Sequence, residues 1–388
     1  MAQWITTENI PAEAWRRVLE YANLDFAISA ISVLHGSAVN KNLKQNYKKQ
    51  AEQIRVAILQ SKEYFDAVST SSLFTSPNHL YYGMVSLASA IMLLIGNGDK
   101  ALDLLRKVPS NRHHGLNFST NVSNASCYDG LRILDDSYVE VLRKGFFANW
   151  YDILPSKHDI YAIVETRKGN ITSIRRCSEG YERLLTSDQI VGKKYSLIRL
   201  FARLPDVYDN LVRYGYPVSA SRSNFEMFFN KSNNTTTYKW RIHGAPNPTA
   251  LEAILEKFKS DLSSIPYWNC SNYDNQTWCI VEFTFKDPHV KFEWPSMREN
   301  INNDQILYES YLDTHEIVDA YMAAYTLSML SRYYPDYWIR CLESHCMAAK
   351  AIEHFVFVMT KKFPVLALKL LTADDFVIST HKPPWHYG

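Results

Sequence analysis

Glycine is scarce, with 13 residues in a chain of 388. Phosphate-cradling loops depend on it, because backbone amides approach a phosphate closely only where no β-carbon intervenes. Neither G-x-G-x-x-G nor G-x-x-x-x-G-K-[ST] occurs, which excludes the usual dinucleotide and P-loop sites. The six cysteines, Cys127, Cys177, Cys270, Cys279, Cys341 and Cys346, contain no C-x-x-C pair, and H-E-x-x-H is absent. Zinc spacing is therefore missing, and no metal or cofactor is expected. A G-x-S-x-G nucleophile elbow is absent too.

Charge of one sign is also lacking. There are 42 basic against 40 acidic residues, so no global field marks a nucleic-acid or membrane partner. No apolar run reaches the roughly 20 residues that a bilayer span needs; Met84 to Ile95 comes nearest. Met1-Ala2-Gln3-Trp4-Ile5 has no signal-peptide pattern. Scattered cysteines in such a chain read as reduced, mostly buried thiols, and the expectation is a cytoplasmic protein.

What is present is aromatic and helical. Aromatics make up 13% of the chain, 25 of them Tyr, which points to packed surfaces. Trp15, Leu19, Ala22, Phe26, Ala30 and Val33 recur at three- and four-residue steps, as on one helix face. Ala51 to Phe65 reads as a second helix, and Leu80 to Ile95 as a third, apolar nearly all round and ended at Gly96-Asn97-Gly98. Lys41 to Lys49 is a polar loop or a solvated helix start. Tyr128 to Leu142 fits helix or strand. From about Trp150 the period becomes that of strands, as in Ile160 to Glu165, Thr237 to Ile242 and Trp278 to Phe285. Helices are expected at 206–214 and 248–262, and polar loops at 221–224 and 231–236. The helical pattern returns near His315 and runs to about Leu371.

These patterns predict an α+β, mainly α fold: a helical bundle made by the N- and C-terminal parts and interrupted by a mixed α/β insertion. The expected spans are 1–148, 149–313 and 314–376, followed by a tail at 377–388.

The most distinctive stretch is Ser331-Arg332-Tyr333-Tyr334-Pro335-Asp336-Tyr337-Trp338. Pro335 ends one helix and starts the next. Arg332 falls in a last helical turn, where a cation suits the helix dipole. The simplest reading is an aromatic-plugged corner with Arg332 paired to an acid such as Asp336. The sharper one aims Arg332 at an anionic ligand.

Three stretches resemble one family. Leu80-Tyr81-Tyr82-Gly83-Met84-Val85-Ser86-Leu87-Ala88 resembles the central helix of YaaC-like proteins. His113-His114-Gly115-Leu116 resembles the loop after it, and Arg332 to Trp338 resembles their Arg-Tyr-x-Pro-x-x-Trp corner. The resemblance implies a bacterial helical protein. It suggests a binding or scaffold component of a multi-protein system such as antiphage defence, acting through protein–protein interaction. Arg112, His113, His114, Arg332 and Tyr333 become candidate ligand-binding residues. Arginine offers a planar fork for phosphate or carboxylate, and the histidines titrate near neutral pH. A protein partner is expected; RNA or a nucleotide is the other class admitted, and no membrane is. Homo-oligomerisation stays open.

Arg340-Cys341-Leu342-Glu343-Ser344-His345 resembles the Arg-x4–6-His signature of HEPN-type ribonucleases, and Arg106 with His113 matches the same spacing. That resemblance implies metal-independent RNA cleavage. His345 would move the proton of a ribose 2′-hydroxyl, and Arg340 would stabilise charge on the phosphorane. Residues five apart on a straight helix diverge by about 140°, so the pair converges only near a helix end. Cys341 stands where the signature has a polar residue. The plain alternative pairs Arg340 with Glu343 or Ser344 on the helix surface.

Overall fold

A computed structural model describes residues 3–36, 41–96, 102–109, 112–155, 157–168, 171–182, 185–218, 220–230, 235–243, 267–273, 276–285, 297–301, 305–308, 312–372 and 376–379. Strand β1 (Gln3–Thr6) leads into helices α1 (Ile10–Glu20), α2 (Leu24–His35), α3 (Lys41–Thr70), α4 (Ser76–Ile95) and α5 (Leu102–Lys107). A mixed stretch begins with β2 (Leu116–Thr120), α6 (Arg132–Asp135), β3 (Ser137–Val141) and α7 (Phe146–Ile153). It continues through β4 (Lys157–Lys168), β5 (Ile171–Glu182), α8 (Ser187–Ile190), β6 (Lys194–Ser196), α9 (Leu197–Ala202) and α10 (Tyr208–Arg213). Strands β7 (Ala220–Asn230), β8 (Thr235–His243), β9 (Tyr267–Tyr273), β10 (Gln276–Phe285), β11 (Met297–Glu299) and β12 (Gln305–Tyr308) follow. The chain returns to helix with α11 (Glu316–Tyr333), α12 (Pro335–Glu343) and α13 (Met347–Leu371), then β13 (Phe376–Ser379). The fold is α+β and mainly α.

Local chemistry sets the helix boundaries. Asn9 caps α1, its Oδ1 accepting from Ala12 N at 3.1 Å, with Pro11 in the first turn. Asn23 caps α2 by accepting from Asp25 N and Phe26 N. Pro335 opens α12 immediately after Tyr334 has left the helical conformation. In β10, Cys279, Val281 and Phe283 are buried while Ile280, Glu282 and Thr284 are partly exposed, the two-residue alternation of a strand.

Helix α4 lies at the centre, packed on α3, α11 and α13. A β-carbon at Gly83 would come within 2.7 Å of the Phe65 ring, so glycine is what lets α3 and α4 approach. Ser61 Oγ donates to Gly83 O at 2.8 Å in the same crossing. Phe65 stacks on Phe363 of α13, and Trp338 is buried with its Nε1 donating to Phe74 O at 3.1 Å. Helix α4 is long and apolar enough to cross a membrane, and most of it is buried inside the bundle.

Eight strands form one antiparallel sheet in the mixed stretch. Strand β7 is its hub: β8 covers one edge, and β12 and β5 share the other. A second sheet orders β2-β3-β6, and β1 pairs in parallel with β13.

A buried ionic network joins the large sheet to the bundle. Asp319 of α11 is fully buried and contacts Arg298 of β11 at 2.9 Å and Arg203 at 3.3 Å. Arg203 also bonds Asp313 and Thr314, and Thr314 donates to Asp319. Arg298 donates to Arg203 O and Thr314 O. Beside them Lys362 of α13 meets Asp206 at 2.6 Å and Glu316 at 2.5 Å, and donates to Glu299 O at 2.6 Å. Burial pushes the Glu316 carboxyl above its usual range, with Lys362 and Arg298 offsetting it in part. Burial also opposes the charge on Lys362, but Asp206 and Glu316 more than offset that and hold the ammonium above its usual range.

Several expectations need correction. The first apolar stripe is two helices broken at Tyr21–Asn23, and it buries Ile10, Ala14, Val18, Ala27 and Ile31, leaving Phe26 and Val33 exposed. Of the two readings of Lys41 to Lys49 the loop falls and the solvated helix start holds, but it opens the same single 30-residue α3 that contains Ala51 to Phe65. Residues 221–224 belong to β7, not to a loop. The N-terminal part contains β1, β2 and β3 as well as helices, and the expected tail contributes Val377 to Ser379 to β13. Within the span expected as an insertion, α9 belongs to the main core: Phe201 stacks on Phe355 of α13 at 4.8 Å. The expected helix at 248–262, Asn97, Gly98 and residues 231–234 lie outside the described residues.

Replacing Trp338 by Ala is expected to cost about 3–5 kcal/mol, the range for a core aromatic; an unchanged denaturant midpoint would contradict this. Lys362→Met leaves Asp206 and Glu316 buried without their cation, and a loss of about 3–5 kcal/mol is expected for breaking such a pair. Chemical denaturation of the variant and wild type would measure it, and a loss below 1 kcal/mol on that scale would count against the network.

Candidate functional site

Tyr321, Tyr325, Ser328 and Arg332 lie on one face of α11, since steps of four, three and four residues return to nearly the same direction. Helix α4 presents Tyr81 and Tyr82 to that face. Ser328 Oγ and Ser331 Oγ both donate to Asn78 Oδ1, at 2.9 and 3.0 Å, and pin the start of α4 to the end of α11.

Arg332 is half-buried at this junction. Its Nε donates to Ser328 O at 3.2 Å, and its terminal nitrogens donate to Tyr82 Oη at 2.8 Å and Met329 Sδ at 3.3 Å. The guanidinium carbon lies 5.6 Å from the Tyr82 ring centre and 5.3 Å from that of Tyr333. Cation–π attraction therefore holds it between two rings. Among the described residues no carboxylate pairs with it, so the expected partnership with Asp336 is not formed. Three of its five N–H donors are engaged. Tyr333 is 64% exposed beside it, and Tyr64 stacks on Tyr82 at 5.8 Å. Tyr334 turns the other way, edge-on to Phe118 at 5.7 Å.

Behind Arg332 the tyrosines close into the core. Tyr81 meets Tyr321 and Tyr325 edge-on, each at 5.5 Å. Burial raises the Tyr81 and Tyr321 phenols above their usual range and Tyr325 to about 12. All three keep their protons at neutral pH. Tyr325 donates to Leu116 O at 3.0 Å, and Tyr81 Oη lies 2.8 Å from His114 Nδ1.

His114 arrives on a braced loop. Phe146 N donates to His113 O and Phe147 N to His114 O, both at 2.9 Å, so the start of α7 grips the loop backbone. Gly115 and Gly145 sit at positive φ, and a β-carbon on Gly145 would come within 2.4 Å of Gly115 Cα. The loop and α7 fit only because both are glycine. Burial, then the nearby Arg332 and His113, lower the His114 pKa. A neutral imidazole accepting from Tyr81 at Nδ1 carries its proton on Nε2.

The other expected site residues are placed differently. His113 is exposed, and its Nδ1 accepts from Gly115 N at 3.2 Å. Arg112 is exposed on the same loop. Arg340 bonds Asn124 and lies over the Tyr337 ring at 6.0 Å, so its partner is neither Glu343 nor Ser344. His345 is exposed in the turn after α12 with φ 52. The structure thus joins Arg332, Tyr333 and His114, and sets Arg340 against a different set of neighbours. The side chain of Arg106 lies outside the described residues. Tyr64, Tyr82, Tyr321 and Tyr325 were not singled out from sequence, although the spacing from Tyr321 to Arg332 carried the signal.

The arrangement therefore rests on two of the quoted stretches, the central helix and the Arg332 corner, with His114 from the third. A model of the YaaC-like Protein family matches residues 29–371. The chain belongs to the YaaC-like family. No curated protein and no solved structure matches it. The region matched in this YaaC-like chain contains every residue of the Arg332 cluster.

His114 supplies a pH test with a defined sign. Its folded pKa is lowered from 6.5, so between that value and the lowered one the unfolded chain holds more protons. Its contribution to stability is present above pH 6.5 and is lost as pH falls toward the folded value. The melting-temperature gap between wild type and His114→Gln should narrow on acidification through this window. A gap independent of pH would refute the assignment.

Proposed function

We propose that this YaaC-like chain is a binding or scaffold component of a bacterial multi-protein system, with antiphage defence the setting that its resemblance suggests. Arg332 is the point at which it takes an anionic, planar ligand: a nucleotide, free or within an RNA strand. One observation carries this reading. A half-buried guanidinium is held on tyrosine rings with no described carboxylate to neutralise it and with N–H donors to spare. A phosphate oxygen would satisfy both its charge and its donors. The exposed Tyr333 ring offers a stacking face for a base. Neutral His114, at the other side of the tyrosine layer, contributes position rather than charge. A protein partner belongs to the same reading, as scaffolds act by joining chains.

The ribonuclease alternative draws less support, because Arg340 is engaged with Asn124 and His345 lies in an exposed reversal of the chain.

Binding of adenine and guanine nucleotides and of short RNAs, measured on wild type and on Arg332→Ala with matched circular dichroism, tests the proposal. Loss of one charge-assisted pair is expected to weaken affinity by about 1.5–3 kcal/mol. Arg332→Lys keeps the charge but not the fork, and is expected to fall between the two. Equal affinity in wild type and Arg332→Ala, or no binding by either, leaves a structural corner only. In the same series total RNA should stay intact with wild type and with His345→Ala; cleavage lost on that substitution would favour the enzyme.

A further inference from the structure

Two of the cysteines meet across the corner that follows α12. Cys346 occupies the N-cap position of the 25-residue α13 without a side-chain cap hydrogen bond, and its Sγ lies 3.6 Å from Cys341 Sγ. Cys341 is fully buried, while Cys346 is partly exposed. The reversal between them is held in place. His345 takes φ 52, a conformation that side-chain-bearing residues rarely adopt. The single Ser344 hydroxyl proton is shared between Cys341 O at 2.7 Å and Cys127 O at 3.1 Å, and Ser344 Oγ accepts from Cys346 N at 3.3 Å.

The pair is chemically unequal. Either sulfur can donate across their contact, and Cys346 Sγ also reaches Cys341 O at 3.7 Å; with the buried Cys341 thiol as donor, Cys346 is held below its usual range against the opposing effect of burial. Ser344 and the backbone N–H groups of Ala349 and Ala348 add to the lowering. The same hydrogen bond, followed by burial, pushes Cys341 up. The positive end of a helix dipole beside a sulfur is a recognised setting for a stable thiolate.

We propose that Cys346 and Cys341 form a redox-active dithiol whose substrate is a hydroperoxide, with the accessible Cys346 as nucleophile and the buried Cys341 as resolving thiol. In the first step the Cys346 thiolate attacks one peroxide oxygen. The O–O bond breaks, Cys346 becomes a sulfenic acid, and the leaving oxyanion takes a proton from solvent. In the second step the Cys341 sulfur, giving up its proton, attacks Cys346 Sγ. The S–O bond breaks and hydroxide leaves with that proton as water. With hydrogen peroxide the balance is two thiols oxidised by two electrons to one disulfide and one peroxide reduced to two waters. The sulfurs need only close from 3.6 Å to a bond length of about 2.05 Å. Cys127 is the competing thiol nearby; it is buried, and its Sγ donates to Tyr337 O and Ser123 O. This site is independent of the ligand reading at Arg332.

The test uses the full chain and hydrogen peroxide at one equivalent, followed by alkylation and peptide mapping. Trypsin releases both cysteines in one peptide, Cys341 to Lys350, so the disulfide appears as that peptide unalkylated and two hydrogens lighter. Thiol titration should fall from six to four. At pH 6, iodoacetamide should modify Cys346 about tenfold faster than the remaining thiols. Cys341→Ser should accumulate a dimedone-reactive sulfenic acid at Cys346, and Cys346→Ser should leave Cys341 unoxidised. A wild-type chain that keeps six thiols, joins Cys346 to Cys127, or alkylates Cys346 no faster than the others overturns the proposal, whether or not the variants fold.

Discussion

Asp319 has no exposure at all, and two guanidinium groups close on its carboxylate. A buried carboxylate left without partners would cost several kcal/mol, so Arg203 and Arg298 must both be in place whenever α11 is. Arg203 follows α9 and Arg298 lies in β11, so one acid fixes a helix end, a sheet edge and the start of α11 together. Lys362 repeats the logic from α13, gathering Asp206, Glu316 and the Glu299 carbonyl. Hydrophobic contact is non-directional; these bonds supply the direction by which the strand-rich stretch is seated on the bundle.

The two ends of α11 are treated in opposite ways. Glu316 and Asp319 occupy its first turn, where acids suit the dipole, and both are matched by buried cations. Arg332 occupies its last turn and, among the described residues, is matched only by rings and neutral acceptors. The tyrosine layer between the ends is buried and protonated, so it separates the two charge systems with uncharged groups. An unmatched cation at the surface-facing end of a rigid, anchored helix is where an anion would be held with little reorganisation. The corner beyond it carries a further asymmetry, since α12 ends on the buried Cys341 and α13 begins on the partly exposed Cys346.

Some of this was readable from residue order. The α+β, mainly α class followed from two periodicities, and the break at Pro335 is a local effect that the sequence displays, whereas the Asn23 cap that divides the first stripe into two helices was not read from it. Arg332 in a last turn and His114 before a glycine were visible as candidates for the same reason. The tyrosine face of α11 was equally present, in the steps from Tyr321 to Arg332, but most neighbouring residues on that helix are apolar as well, which masks the stripe. Arg340 and His345 show the reverse. Their spacing matches a signature, yet Asn124, 216 residues earlier in the chain, takes the guanidinium.

Sequence alone determined which stretches are broadly helical, the break at Pro335, which stretches carry strand periodicity, and which family the chain resembles, because prolines and side-chain alternation act over a few residues. Tertiary structure decided that Lys362 and Asp319 are buried ions rather than surface charges, that α9 belongs to the core, and that Arg332 meets no acid among the described residues while Arg340 has an amide. It also placed Cys341 and Cys346 in contact around a left-handed residue. Charge state and partnership depend on what desolvates a group and what lies across from it, and those neighbours come from segments far apart in the chain.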